Sequence, residues 1–273
     1  MADEFHAVDQ STPSIARVYD YLLGGKDNYA VDRVIGDRFK DDMPGSVAIA
    51  HSNRAALVRA VRDIALNTGI RQFLDLGSGL PTADNVHQVA QRNAPGSRVV
   101  YVDNDPIVLA HGRALLEENE DTCVIRADLR DPRRIREHPG TTRLIDFDRP
   151  VAVILSAILH HVNDEEDPVG LVEYWRDQVP SGSHFFVSHF RSGNNPETAE
   201  AEAVLQKTFG RGRWRTDEEI AGLLPGLEVL EPGVVPTSAW RPDEAAGVPR
   251  IGPPDAGLSV WERLIVAAMA RKP

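Results

Sequence analysis

The sequence predicts a doubly wound α/β domain, and three observations predict it. Short, continuous apolar runs recur along the chain, each too brief to be a helix. Stretches with helical apolar spacing separate them, and the first run ends in a glycine turn. Strands that are apolar on both faces and alternate with helices belong to βαβ units around a buried parallel sheet.

Taken in order, residues 1–11 read as a polar leader, and Thr12-Pro13 as an N-cap followed by proline in the first helical turn. Ile15, Val18, Tyr19, Leu22 and Leu23 then recur at helical spacing until Gly24-Gly25 stops the segment. A second helix is predicted at about 31–39. A third, at about 47–67, runs through Ala55, Leu57, Val58, Val61 and Ile64 and ends at Gly69. There the period changes: 71–76 reads as a buried strand, Gly77-Ser78-Gly79 as a turn, and about 82–93 as a helix. A second strand at 98–103 is followed by a helix that Pro106 opens and that passes through Val108, Leu109 and Leu115. Strands at 122–127, 150–155 and 184–188 follow. Helices at about 196–209 and 217–224, the latter opened by a Thr216-Asp217-Glu218-Glu219 capping box, lead to strands near 227–231 and 259–268. Between those strands, the proline- and glycine-rich Pro236 to Gly257 reads as an ordered surface excursion or a lid. The predicted organisation is a helical cap over residues 1–68 on one compact Rossmann-like unit over 69–273.

Composition narrows the function. Of 273 residues 41 are acidic and 30 basic, a net charge of −11. That field opposes nucleic acid and anionic lipid, so neither is an expected partner, and a small uncharged or cationic ligand suits it better. No apolar run is long enough to span a bilayer, and the acidic start does not read as a secretory leader, so a cytoplasmic location is expected. A single cysteine, Cys123, excludes an internal disulfide framework and any multi-cysteine metal site, and its apolar strand makes it a core residue. No G-x-S-x-G, P-loop, H-E-x-x-H or C-x-x-C motif occurs. Oligomeric state is left open.

In open α/β sheets ligands sit beyond the carboxyl ends of the strands, where strand order reverses. The candidate is Phe73-Leu74-Asp75-Leu76-Gly77-Ser78-Gly79-Leu80-Pro81-Thr82. Its glycines carry no Cβ to keep a ligand off the backbone, and the following helix is expected to aim unpaired N–H groups at that space. A dinucleotide fingerprint requires a small residue where this chain has Thr82. Asp75 would face a pyrophosphate badly but suits a ligand bearing an ammonium and a sulfonium, which favours S-adenosylmethionine over NAD. Asp103 ends the second strand, where an acid can accept both ribose hydroxyls. Asn104 follows it, and Asp105-Pro106 reads equally as a plain helix cap. Asp128-Leu129 lies where an adenine amino group would sit, or is a turn acid. At the fourth strand end Ser156 and Ala157 can line the reactive end. His160 or His161 can act as a general base or orient an acceptor, or pack under the sheet. A metal held by these histidines with Glu165-Glu166-Asp167 is a less specific reading than a solvated acidic turn, so no metal is assigned.

Pro13-Ser14-Ile15-Ala16-Arg17-Val18-Tyr19-Asp20-Tyr21-Leu22-Leu23-Gly24-Gly25-Lys26-Asp27-Asn28-Tyr29-Ala30-Val31-Asp32 is more distinctive than the glycine turn. Together with Asn53-Arg54, residues 73–82, residues 99–106, residues 127–132, Trp240-Arg241-Pro242 and the final Ala270-Arg271-Lys272-Pro273, it resembles the actinobacterial S-adenosylmethionine-dependent methyltransferase family once catalogued as a domain of unknown function. The resemblance implies a class I methyltransferase fold: a seven-stranded, mostly parallel sheet with one antiparallel strand and extra N-terminal helices over the cofactor. It implies that Asp75, Gly77 and Gly79, with Ser78 between them, hold the methionine part, Asp103 the ribose, Asp128 and Leu129 the adenine, and Ser156 the reactive end. It supplies no acceptor. Tyr19, Tyr21 and Tyr29 can present ring faces to a cation, while Arg17, Lys26 and Asn28 offer donors. The function this predicts is methyl transfer from S-adenosylmethionine to a small molecule, with His160, His161 or, less directly, Tyr21 as base. A non-catalytic metabolite-binding module is the alternative, and an NAD-dependent oxidoreductase is disfavoured by Thr82 and Asp75.

Overall fold

The computed structural model describes residues 9–115, 119–242 and 257–273. Residues 1–8 of the predicted leader at 1–11 and the larger part of the predicted lid, 243–256, lie outside them. Parallel strands β1 (Gln72–Leu76), β2 (Arg98–Asp103), β3 (Thr122–Arg126), β4 (Ala152–Ser156) and β5 (His184–Phe190) are joined to β6 (Glu228–Val229), β7 (Val235–Pro236) and β8 (Ile265–Arg271). The order is β3-β2-β1-β4-β5-β8-β6, with β7 also pairing β8. β8 runs antiparallel to β5, β6 and β7, so it is the one reversed strand. The sheet therefore has eight described strands rather than seven. The addition is β7, whose two residues include a proline that cannot donate to a ladder and is tolerated only at such an edge.

The helices are α1 (Ile15–Leu22), α2 (Ala30–Asp42), α3 (Ser46–Asn67), α4 (Val86–Asn93), α5 (Pro106–Leu115), α6 (Pro132–Glu137), α7 (Pro139–Leu144), α8 (Pro168–Gln178), α9 (Pro196–Phe209) and α10 (Asp217–Gly222). The predicted boundaries of α1 and β8 move. Ser14, not Thr12, is the extended residue before α1, and the Thr12 carbonyl instead accepts from Arg17. β8 begins at Ile265 rather than 259, because Ser259 forms a turn whose N–H and hydroxyl both donate to Glu262.

Side chains alternate across a strand, and the core follows that alternation. Leu74, Val100, Val153 and Phe185 face a layer that includes Trp175 of α8. Phe73, Tyr101, Ile154 and Phe186 face the opposite layer, against Leu57, Ala60, Val61 and Ile64 of α3. That helical stripe, at spacing three and four, seats the second half of α3 on the sheet. The first half of α3 continues beyond the sheet, where Ala50 meets Val18 and Leu22 of α1 and Phe39 of α2. One helix thus carries both the sheet's outer layer and the floor of the N-terminal cap.

Candidate functional site

Strand order reverses between β1 and β4, which places a crevice at their carboxyl ends. Because the side-chain period is two, Asp75 shares the face of Phe73, Asp103 that of Tyr101, Ser156 that of Ile154, and Ser188 that of Phe186. All four therefore emerge on the face covered by α3, which contributes Asn53 and Arg54 to the same space.

The turn after β1 is held by its neighbour strand: the Gly77 and Ser78 N–H groups donate to the Val102 carbonyl at 2.8 and 3.1 Å. Gly77 and Gly79 have φ of +75° and +65°. A Cβ on Gly77 would lie 2.4 Å from Ile158 Cγ1, so that glycine permits packing, whereas a Cβ on Gly79 would meet nothing within 4 Å. The open side of the loop is at Gly79. Asp103 accepts from the N–H of Gly79 and of Asp105, both at 2.9 Å, which fixes its carboxylate beside that opening and leaves each oxygen a further lone pair. Burial pushes Asp103 up to about 6 and Asp75 up to about 7, the latter opposed by Arg54 and reinforced by Asp103. Arg54 Nε and Ser78 Oγ are buried without partners beside them.

The expected helix N-terminus at about 82 is not there. α4 starts at Val86, because Asn85 accepts from Thr82 N–H at 2.9 Å and its own N–H donates to Gln88 at 3.0 Å. Arg54 reaches across that loop instead, donating to the Asp84 carbonyl at 3.0 Å.

At the ends of β4 and β5, Ser188 Oγ donates to Asn53 Oδ1 at 2.6 Å, Asn53 Nδ2 donates to the Tyr19 hydroxyl at 3.0 Å, and that hydroxyl donates to the Ala50 carbonyl at 3.0 Å. Ser156 lies 3.4 Å from Asn53 Nδ2. Ala157 takes φ of +52°, a costly conformation for a residue with a Cβ, and its N–H is held by Ser188 Oγ at 2.8 Å.

The crevice forms one cavity of about 480 Å³. Asp75, Gly77, Ser78, Gly79, Asp103, Asn104, Asp128, Leu129, Ser156, Tyr19, His160 and His161 all border it. Tyr21 and Asn28 do not. The Tyr21 hydroxyl donates to Asp37 at 2.7 Å and its ring lies under Lys40 Nζ, on the outer side of the cap. Asn28 Nδ2 donates to Asp20 at 2.8 Å and to the Gly25 carbonyl at 3.1 Å, so it ties the loop after α1. Arg17 is paired with Asp32 and stacked near Tyr29, which makes both cap packing rather than ligand donors. Asp128 is clasped by Arg130, which also pairs with Glu166. Asn53 and Arg54, which pattern reading left without a role, also border the cavity, since the packing of α3 brings them in, and Ser188 is tied to Asn53 behind them.

His160 and His161 stand on a 3₁₀ turn after β4, with ring centroids 4.3 Å apart. His160 Nδ1 accepts from the Phe190 N–H at 3.3 Å, and burial holds His160 well below the usual imidazole range. Burial with Arg211 nearby lowers His161 to about 4. Among the described residues no three His, Cys, Asp or Glu side chains converge as a metal site requires, and no helix is long and apolar enough to cross a membrane.

Over residues 1–273 the chain matches the family described as S-adenosyl methyltransferase. It is similar to a provisionally named methyltransferase from Thermobifida fusca YX, with 45% identity over 97% of this chain and 96% of that one and a TM-score of 0.90. It is also similar to a DUF574 family protein from Streptomyces avermitilis ma-4680, with 38% identity, 97% and 99% coverage and a TM-score of 0.89. No curated protein matches it.

Proposed function

The chain belongs to the S-adenosyl methyltransferase family and is an S-adenosylmethionine-dependent methyltransferase; on that premise we propose that it methylates a small molecule seated in the apolar half of the cavity at the strand ends. The observation that carries this reading is the continuity of two unlike half-sites. One is a bare-backbone loop flanked by Asp75 and Asp103, and the other is an apolar chamber under the cap, both bordering the same 480 Å³ space.

The residues present fit the cofactor. Open space over Gly79 accommodates a ligand against the main chain. Asp103 would hold ribose hydroxyls through its remaining lone pairs, and Asp128 and Leu129 the adenine. Asp75 would face the ammonium, while the unpartnered Arg54 Nε and Ser78 Oγ would meet the carboxylate. When bound, S-adenosylmethionine supplies a methyl group on a sulfonium sulfur, an electrophile that needs an aligned nucleophile. The protein's part is alignment and removal of water. Asn53 positions the Tyr19 hydroxyl and Ser188 at the strand ends, and α1 and α2 close over them.

Calorimetric titration of the purified chain with S-adenosylmethionine and, separately, NADH tests the site. Binding of the former alone is expected, lost in Asp103→Ala. Release of S-adenosylhomocysteine with a panel of small acceptors tests turnover; cofactor binding with no product from any acceptor class would favour the non-catalytic module.

A further inference from the structure

The acceptor half of the cavity is walled by Val18, Leu22, Phe39, Met43, Leu205 and Phe209, drawn from α1, α2, α9 and the turn after α2. None of these can carry or compensate a charge. An ionised acceptor brought among them would lose its hydration, and the cation beside His161, Arg211, already faces Glu166 at 3.4 Å.

Against that wall two buried polar atoms are left without a partner, Ser46 Oγ and His161 Nδ1, and of these the imidazole nitrogen is the one that can take up a proton. His161 is 8% exposed, borders the cavity, and its Nδ1 is buried with no hydrogen-bond partner. Of the two neighbouring histidines, His189 has both ring nitrogens engaged and His160 its Nδ1. His160 Nδ1 accepts from Phe190 N–H. His189 Nδ1 donates to the Phe190 carbonyl at 2.6 Å, and its Nε2 accepts from Arg215 at 3.0 Å. Arg215 in turn is spent on the Leu159 and Val162 carbonyls and Asp164. Buried polar atoms are normally satisfied, so an unspent imidazole nitrogen beside a ligand cavity points to a partner that arrives with the ligand.

Resting on the methyl-transfer reading above, we propose that the acceptor is an uncharged molecule with an apolar body and a hydroxyl nucleophile, and that His161 orients this hydroxyl and receives its proton. The charged groups packed around His161 are Arg211 and, behind His189, Arg215; His160 and His189 are the titratable ones. With its pKa lowered to about 4, His161 is a neutral hydrogen-bond acceptor at pH 7. So weak a base cannot ionise an alcohol in advance. It suffices during transfer, because a hydroxyl oxygen gaining a third bond becomes a strongly acidic oxonium. The oxygen lone pair forms the new C–O bond as the methyl–sulfur bond breaks, the O–H proton passes to the imidazole, and from there to water. The positive charge thus leaves as that proton, and a thioether and an ether remain.

The test uses 2-naphthol, 2-naphthoate and 2-naphthylmethylamine, three ligands of one apolar body that differ in charge. Calorimetry with the chain saturated in S-adenosylhomocysteine is expected to show 2-naphthol binding at least about tenfold tighter than the other two, and weaker by about tenfold in His161→Phe. His161→Gln keeps an acceptor but cannot carry the proton, so its KM for 2-naphthol should hold while kcat falls about 10²–10⁴-fold. S-adenosylhomocysteine affinity should be unchanged in both variants, which also confirms folding. Should His161→Phe fail to fold, the kcat against KM split in His161→Gln decides. Equal or tighter binding of the carboxylate or the ammonium, absence of any naphthyl binding, or an unaltered kcat in His161→Gln overturns the proposal. Failure of the wild type to bind S-adenosylmethionine would instead overturn the functional reading beneath it.

Discussion

Two glycines two residues apart do different jobs, and substitution separates them. In Gly77→Ala the new Cβ would press on Ile158 from 2.4 Å at a φ of +75°, so a loss of about 1–3 kcal/mol in urea unfolding is expected. Gly79→Ala has room for its Cβ, and that room is the ligand's. It should therefore lose less stability than Gly77→Ala yet weaken S-adenosylmethionine binding in calorimetry. Arg54→Met should likewise cost about tenfold in cofactor affinity, since Arg54 Nε is left for the ligand, while losing its bond to the Asp84 carbonyl costs only about 1 kcal/mol of stability in urea unfolding. The acids Asp75 and Asp103 could be located from the sequence, because strand period and a glycine turn specify where a strand ends and which face its last residue takes. Arg54 could not be given its role, because nothing local ties residue 54 to residue 75.

The elements show the same division. β2 and α9 lie where apolar spacing puts them, at Arg98–Asp103 and Pro196–Phe209. α4 starts late because side-chain amides of Asn85 and Gln88 compete for the backbone groups of the preceding loop, a local contest that hydrophobic periodicity does not register. The cap depends on one buried pair: Arg17 Nε lies 2.9 Å from Asp32, both side chains nearly without exposure, and Asp32 also accepts from the N–H groups of Ser14 and Tyr29. Arg17→Met would strand that carboxylate, a change that costs about 3–5 kcal/mol where no other charge compensates. Faster hydrogen exchange confined to α1 and α2, with the sheet unaltered, is the expected readout. Ser14 Oγ also donates to Asp105 at 2.5 Å, so the cap is latched to the loop that carries Asp103. The same loosening should therefore weaken cofactor binding.

Across the whole molecule, burying two carboxylates in one crevice sets a pH dependence. Asp75 and Asp103 have folded values raised to about 7 and about 6 from 3.8. Between about 4 and 7 the folded chain holds protons that the unfolded chain has lost, so the stability these groups contribute is present below pH 4 and is lost as pH rises through their folded values. Thermal melting of the ligand-free chain should fall across that window, and Asp75→Asn should flatten the fall. A cationic ligand favours ionised Asp75, so affinity for S-adenosylmethionine should rise over the same interval. By itself the sequence determined the α/β order, the glycine turn, the acids at the strand ends and, through its resemblance, the cofactor, because each is written in spacing along a few neighbouring residues. Only tertiary structure decided that Tyr21 and Asn28 are bonded away from the cavity, that Asn53 and Arg54 border it, and that His161 Nδ1 is left without a partner. Those outcomes turn on which surfaces meet across a hundred residues, and a hydrogen-bond partner is chosen by that meeting, not by the chain's local pattern.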